Sequence, residues 1–138
     1  MKVVIDTNIL ISAIIRDSKI REIIINSPHE FFTSEIIFEE LKKYQQEIEE
    51  KSGLSSSEIS EIINVLFKYI KIIPTEDTRP FVYGALRAIG EFDEEDSLFI
   101  ACALHNPGSV IWSNDKHFKM QNKIKVYNIS DFIHELEK

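Results

Sequence analysis

Cysteine is almost absent from this sequence: Cys102 stands alone, so no disulfide can close within the chain and no cysteine-based zinc site can be assembled. Set in the apolar run Leu98 to Leu104, it reads as a buried, inert thiol. Long hydrophobic stretches are missing as well. The two longest, Ile9 to Ile15 (broken by Ser12) and Leu98 to Leu104, fall far short of the ~20 residues that a bilayer-spanning helix needs. Met1 and Lys2 lead straight into a strand-like run containing Asp6, which does not fit a secretory leader; the expectation is a cytoplasmic protein without a membrane anchor. No internal repeat, low-complexity tract or linker divides the sequence, and 138 residues suit a single domain, 1–138, around one core.

Basic charge is also in short supply. Sixteen Lys and Arg face 23 Asp and Glu, a net charge of −7. That balance disfavours nucleic-acid binding, whose energy comes largely from cations neutralising phosphates. Two features work the other way. Acids gathered around divalent cations no longer present the charge of the bare chain. Lys116, Lys119, Lys123 and Lys125 also form a stretch without an acid, either a solvated surface or a contact for an RNA backbone. A hydrophobic content of 43% and a charged content of 28% belong to an ordinary soluble globular protein.

Short β-rich runs alternate with longer helical ones, which predicts an α/β fold with a mainly parallel sheet of about five strands. The strands are predicted at Lys2 to Ile5, Glu30 to Thr33, Ile70 to Pro74, Val110 to Ser113 and Lys125 to Tyr127. Helices are predicted near Ile9 to Ile15, Ser18 to Asn26, Glu35 to Glu50, Ser56 to Tyr69, Phe81 to Ala88, Glu95 to His105 and Asp131 to Leu136. Ser55 with Glu58 reads as a capping box, followed by the apolar face Ile59, Ile62, Ile63, Leu66 and Phe67. Gly53 marks the preceding turn, and Asn106-Pro107-Gly108 ends the penultimate helix. In open parallel sheets ligands bind beyond the carboxyl ends of the strands, where strand order reverses. The residues to weigh are therefore those following the first and fourth strands, Asp6 and Asp115.

Each carboxylate has a plain structural reading beside the functional one. Asp6, with Thr7 and Asn8, could simply cap the helix that follows. Glu40 sits roughly 60° from the centre of the stripe Ile37, Leu41, Tyr44 and Ile48, whereas Glu39 points almost directly away. A carboxylate bordering buried surface needs a cation or hydrogen bonds to offset its desolvation; Lys43 at i+3 is the plain partner. Asp93, Glu94 and Glu95 are well explained by the helix dipole. Asp96 is less so, because the helix it opens is apolar on every side and therefore buried. Asp115 leaves the fourth strand as a cap or as a ligand. Four acids from four segments cannot stay ionised side by side without cations. Oxygen-only ligation suits Mg²⁺ or Mn²⁺, one or two ions, and metal-assisted phosphodiester hydrolysis.

At these residues the sequence resembles the PIN-domain family, ribonucleases that supply the toxin of many prokaryotic toxin–antitoxin pairs. Val4-Ile5-Asp6-Thr7-Asn8-Ile9-Leu10 is close to the family's opening, and Ser34-Glu35-Ile36-Ile37-Phe38-Glu39-Glu40-Leu41 is similar to its second motif, with Glu40 at the acidic position. Asp93-Glu94-Glu95-Asp96 before Ala101-Cys102-Ala103-Leu104 resembles the third, with Asp96 the principal acid and Asp93 an accessory. Ser113-Asn114-Asp115-Lys116-His117-Phe118 resembles the fourth, with Asp115 as the acid. The ordered set runs nearly end to end. Many relatives carry an acid where this chain has His117, which bears on a second metal position; His117 is a surface residue or a contact for phosphate or a proton.

The resemblance implies a three-layer α/β/α sandwich around the parallel sheet, a magnesium- or manganese-dependent endoribonuclease, a homodimer, and a small antitoxin partner that covers the acidic pocket. Asp6, Glu40, Asp96 and Asp115 would be catalytic metal ligands with Asp93 beside them. Asn8, Thr7, Ser113 and Asn114 would position ligands or phosphate, and Lys116, Lys119 and Lys123 would hold the RNA backbone. Three rival readings stand beside this one: a PIN-like RNA- or protein-binding module without catalysis, a housekeeping RNA-processing nuclease, and a receiver-type phosphoacceptor domain. The last needs an aspartate after a central strand, and Thr75-Glu76-Asp77 after the third strand matches that poorly.

Overall fold

The computed structural model describes residues 1–15, 18–82, 84–85, 94–116, 118 and 124–136, with the backbone alone at 18 and 94–96. Five strands form one sheet: β1 (Lys2–Ile5), β2 (Glu30–Ser34), β3 (Ile70–Ile73), β4 (Val110–Trp112) and β5 (Val126–Tyr127). Their order is β3-β2-β1-β4-β5 and every pairing is parallel. β1 is central, with Val4 opposite Phe32 on one side and Ile111 on the other. Val3, Val4 and Ile5 are buried because both faces of a parallel sheet are covered by its crossover helices, which is why these strands read as continuous apolar runs.

Between β1 and β3 the chain moves steadily towards one edge through α1 (Thr7–Ile15), α2 (Ser18–Asn26), α3 (Ile37–Lys43), α4 (Gln45–Ser52) and α5 (Ser56–Leu66). After β3 come a helical turn, α6 (Thr75–Thr78), a 3-10 turn at Arg79–Phe81 and the long α7 (Glu94–His105), and the chain then returns past β1 to β4. Right-handed crossovers that reverse direction place their helices on opposite faces of the sheet, which gives the expected α/β/α layering. The final helix, α8 (Ile129–Leu136), follows β5. α7 lies against β1, β2 and β4. Phe99, Ile100, Ala101, Cys102 and Ala103 are all buried within it, as its uniformly apolar composition predicts. On the β4 side, Trp112 stacks on Phe132 of α8 at 4.4 Å between ring centres.

Local signals locate most boundaries. Ser55 and Glu58 make both bonds of the capping box at 3.1 Å, and Gly53 ends α4 at φ 71°. Gly108, at φ 88°, turns the chain from α7 towards β4. Three expectations change. The helix predicted over Glu35 to Glu50 is divided at Tyr44 (φ −98°, ψ 10°), although Tyr44 N–H still bonds Glu40 and Ile48 N–H still bonds Tyr44. The division is therefore a kink that preserves the buried stripe Ile37, Leu41 and Ile48 while leaving Tyr44 half-exposed. α5 stops at Leu66 because tighter bonds from Lys68 to Val65 and from Tyr69 to Leu66 turn the chain into β3. The helix predicted from Phe81 begins inside the Pro80-containing 3-10 turn; Val82, Gly84 and Ala85 are helical and the remainder lies outside the described residues.

Candidate active site

β1 and β4 are neighbours at the point where strand order reverses, and their carboxyl ends deliver Asp6 and Ser113 to the same place. Asp6 is 3% exposed. Its Oδ1 accepts a 2.9 Å hydrogen bond from Ile9 N–H in the first turn of α1, so the capping role is real. Capping explains only one of its oxygens. Oδ2 accepts a hydrogen bond from Ser113 Oγ, across 107 residues of sequence. Burying an ionised carboxylate is costly, and a cap alone needs no such burial.

Ser113 is fully buried and joins two acidic segments. Its backbone N–H bonds Tyr127 C=O at 2.9 Å, fixing the strand end, while its Oγ accepts Asp115 N–H at 2.9 Å. One hydroxyl thus connects Asp6 to the backbone of Asp115, whose side chain is half-buried. Asn114, expected to position the site, turns outward, and its Oδ1 accepts Ile129 N–H at the start of α8 at 2.9 Å. Lys116 is exposed and borders a cleft of about 570 Å³ with Asn114, Asn128 and Ser130.

The helical-face reasoning for Glu40 holds: it is 8% exposed, and Glu39 lies in solvent. Lys43, its plain partner, instead places Nζ 5.4 Å from the centre of the Tyr44 ring. α3, which carries Glu40, packs on α1, the helix that Asp6 caps, at the carboxyl edge of the sheet. Asn8 is exposed in the first turn of α1 and lines a groove of about 620 Å³ with Ile11, Tyr44 and Lys51. Asp96 occupies the first turn of α7. Because α7 ends just before the amino end of β4, its start lies towards the carboxyl edge, on the side of Asp6. The Asp96 side chain lies outside the described residues, as do Asp93, His117, Lys119 and Lys123.

Thr7 is the neighbour that most resembles an unfinished site. Among the described residues its buried Oγ1 has no hydrogen-bond partner, and it lies directly beside Asp6 in sequence. An unmet buried hydroxyl costs about 1–3 kcal/mol unless a ligand or ion completes it. Among the described residues no three carboxylate, imidazole or thiol groups gather at metal-holding distance. The donors that are described here are nonetheless all hard oxygens, Asp6, Glu40, Asp115 and the Thr7 hydroxyl, which is the chemistry that Mg²⁺ or Mn²⁺ requires.

Two contributors escaped the sequence reading. Thr33 and Ser34 close β2 and are both buried. Thr33 Oγ1 donates to Ile5 C=O at 2.8 Å, steadying the backbone one residue before Asp6, and Ser34 Oγ accepts Ile36 N–H at 3.3 Å. Their signal was two hydroxyls ending an otherwise apolar strand. Cys102 is buried as expected: desolvation pushes its thiol up to about 12, opposed by a hydrogen bond with Ser34.

Residues 4–128 match the family model described as PIN domain. No curated protein matches the sequence. In structure, fifteen solved chains match. One belongs to the crystal structure of VapBC2 from Rickettsia felis bound to a DNA fragment from their promoter. It superposes with a TM-score of 0.69 over 93% of this chain and 98% of that one, at 20% sequence identity. At such identity the likeness speaks for the fold.

Proposed function

This chain belongs to the PIN-domain family, and from that premise we propose that it is a Mg²⁺- or Mn²⁺-dependent endoribonuclease, the toxin of a toxin–antitoxin pair. The observation that carries the reading is the Asp6 carboxylate. It is buried where strand order reverses, held through one oxygen by a helix N–H and through the other by Ser113, beside a Thr7 hydroxyl that has no partner among the described residues. A non-catalytic binding module has no need of that arrangement, which costs stability.

In this proposal Asp6, Glu40, Asp96 and Asp115 hold one or two cations, with Asp93 as an accessory. A divalent cation bound there supplies Lewis acidity and neutralises charge on the phosphate. Ser113 orients Asp6 by donating to Oδ2 and fixes the backbone that presents Asp115. The Thr7 hydroxyl would add a hard oxygen for that cation or donate to the scissile phosphate, and Asn8 would meet the RNA at the mouth of the neighbouring groove. Lys116 neutralises a backbone phosphate, with Lys119 and Lys123 assigned the same role.

Among the described residues no helix is long and apolar enough to cross a membrane, and we assign the protein to the cytoplasm. The partner proposed is a small antitoxin that covers the acids, supported by the shared fold with a chain of VapBC2; the assembly proposed is a homodimer. The test is cleavage of labelled RNA with Mn²⁺ by the unmodified chain and by Asp6→Asn and Asp115→Asn. Equal rates in all three would refute the assignment.

A further inference from the structure

The opposite side of the molecule holds a cleft that none of this chemistry uses. It encloses about 550 Å³ at the amino edge of β2 and β3, lined by His29, Glu30, Phe67, Lys68, Tyr69 and Lys71 among others. Tyr69 is 46% exposed and is flanked in sequence by Lys68 and, two residues on, by Lys71. Both lysines are exposed, and among the described residues neither has an acidic partner. Phe67 is half-buried in the cleft wall, and its ring centre lies 5.2 Å from that of Phe38. Phe38 is 49% exposed on α3, two residues before Glu40. Aromatic rings, exposed at Phe38 and Tyr69 and half-buried at Phe67, therefore lead from the helix bearing a candidate catalytic acid to a cleft bordered by two cations unpaired among the described residues.

We propose that this cleft is a second, sequence-tolerant binding site for single-stranded RNA, in which bases stack on Tyr69 and the Phe38–Phe67 pair while Lys68 and Lys71 neutralise backbone phosphates. The proposal extends the ribonuclease reading and rests on it for the choice of RNA as the occupant. Single-strand binding without base readout combines aromatic platforms with a cationic track, and both are present here. Charge selects this occupant over a second copy of the chain. A two-fold interface sets one patch against itself, so Lys68 and Lys71 would meet lysines with only Glu30 to balance them. His29 adds no charge at neutral pH, since burial and then the terminal ammonium lower its pKa. The chain as a whole carries −7, so a locally cationic cleft is where a polyanion can approach.

The probe is a fluorescein-labelled, ribose-methylated oligouridine of about a dozen residues, a length that spans a typical single-strand site. It resists cleavage, and its binding is followed by fluorescence anisotropy in EDTA, which keeps cations out of the acidic site. Lys68→Ala with Lys71→Ala should weaken binding about tenfold and lower the salt slope by about 1.4. Tyr69→Ala should weaken it by about fivefold to a hundredfold, and Tyr69→Phe should restore it. Circular dichroism checks folding; if Tyr69→Ala does not fold, the paired lysine variant and Tyr69→Phe still decide. Unchanged affinity in the lysine variant overturns the proposal. So does a shift from dimer to monomer on sedimentation of the Tyr69 variant, which would assign the cleft to a second copy. A chain that binds the probe through Tyr69 yet cleaves no RNA with Mn²⁺ overturns the ribonuclease reading and leaves the cleft assigned.

Discussion

The two edges of the sheet treat charged side chains in opposite ways. At the carboxyl edge Asp6, Thr7, Thr33, Ser34, Glu40 and Ser113 are all buried, and one of these side chains, Thr7, has no partner among the described residues. At the amino edge Lys68 and Lys71 stand in solvent beside an exposed tyrosine; the hydroxyls of Ser109 and Ser27 are buried there, the first bonded to Asn106 C=O, but among the described residues no charged side chain is. Burying a charge costs far more than burying a hydroxyl, so a fold that only had to persist would keep its charges in solvent as the amino edge does. The contrast teaches that the carboxyl edge gives up stability for a task. It follows that substitutions there should alter activity more than stability, and substitutions elsewhere the reverse.

Asp6→Asn probes that contrast most severely. The amide oxygen can still accept Ile9 N–H, so the melting temperature should hold, while RNA cleavage should fall by on the order of a thousandfold, matching the several kcal/mol that a divalent cation supplies. Loss of folding in place of activity would erase the distinction between the edges. Ser113→Ala comes next. It removes the donor to Asp6 Oδ2 and the acceptor for Asp115 N–H, and affinity for Mn²⁺, measured by calorimetry, should drop between about tenfold and a hundredfold.

Away from both edges, Ser55→Ala breaks the capping box of α5 and should cost about 1 kcal/mol in urea unfolding with the cleavage rate unchanged. The smallest effects are those of pH. His29 has its pKa lowered below 6.5 by burial and by the terminal ammonium, so its contribution to stability is present above that value and is lost as pH falls through the folded-state value. A His29→Gln variant should show a flatter acid limb of the stability profile. Cys102 runs the other way. Its thiol is raised from 9.0 to about 12, so stability on its account is full below 9.0 and declines as pH rises through that window. Thiol reagents at pH 8 should label the unfolded chain and spare the native one.

Much of this was legible in the residues. β1 was read to its ends because Val3, Val4 and Ile5 must be covered on both faces, and a run of that kind has few other uses. Glu40 and Glu39 were separated by helical angle alone, and their burial differs as that angle requires. The cap on Asp6 was visible, since a helix start needs an acceptor. The bond to Ser113 was not, because no local pattern links residues 107 positions apart. The kink at Tyr44 was equally hidden: the periodicity of Ile37, Leu41 and Ile48 continues through it, and the packing of α3 and α4 on α1 accompanies the change of direction.

By itself the sequence determined the alternation of strands and helices, the acids at strand and helix ends, and the family to which they are similar, because these depend on side-chain chemistry and short-range periodicity. Only the tertiary structure decided that β1 lies between β2 and β4, and so that Asp6 meets Ser113 and the backbone of Asp115. It also decided that Phe67 and Tyr69 open a cleft bordered by unpaired lysines. Strand order is set by which apolar faces cover one another across the whole chain, and that summed burial is not written in any single segment.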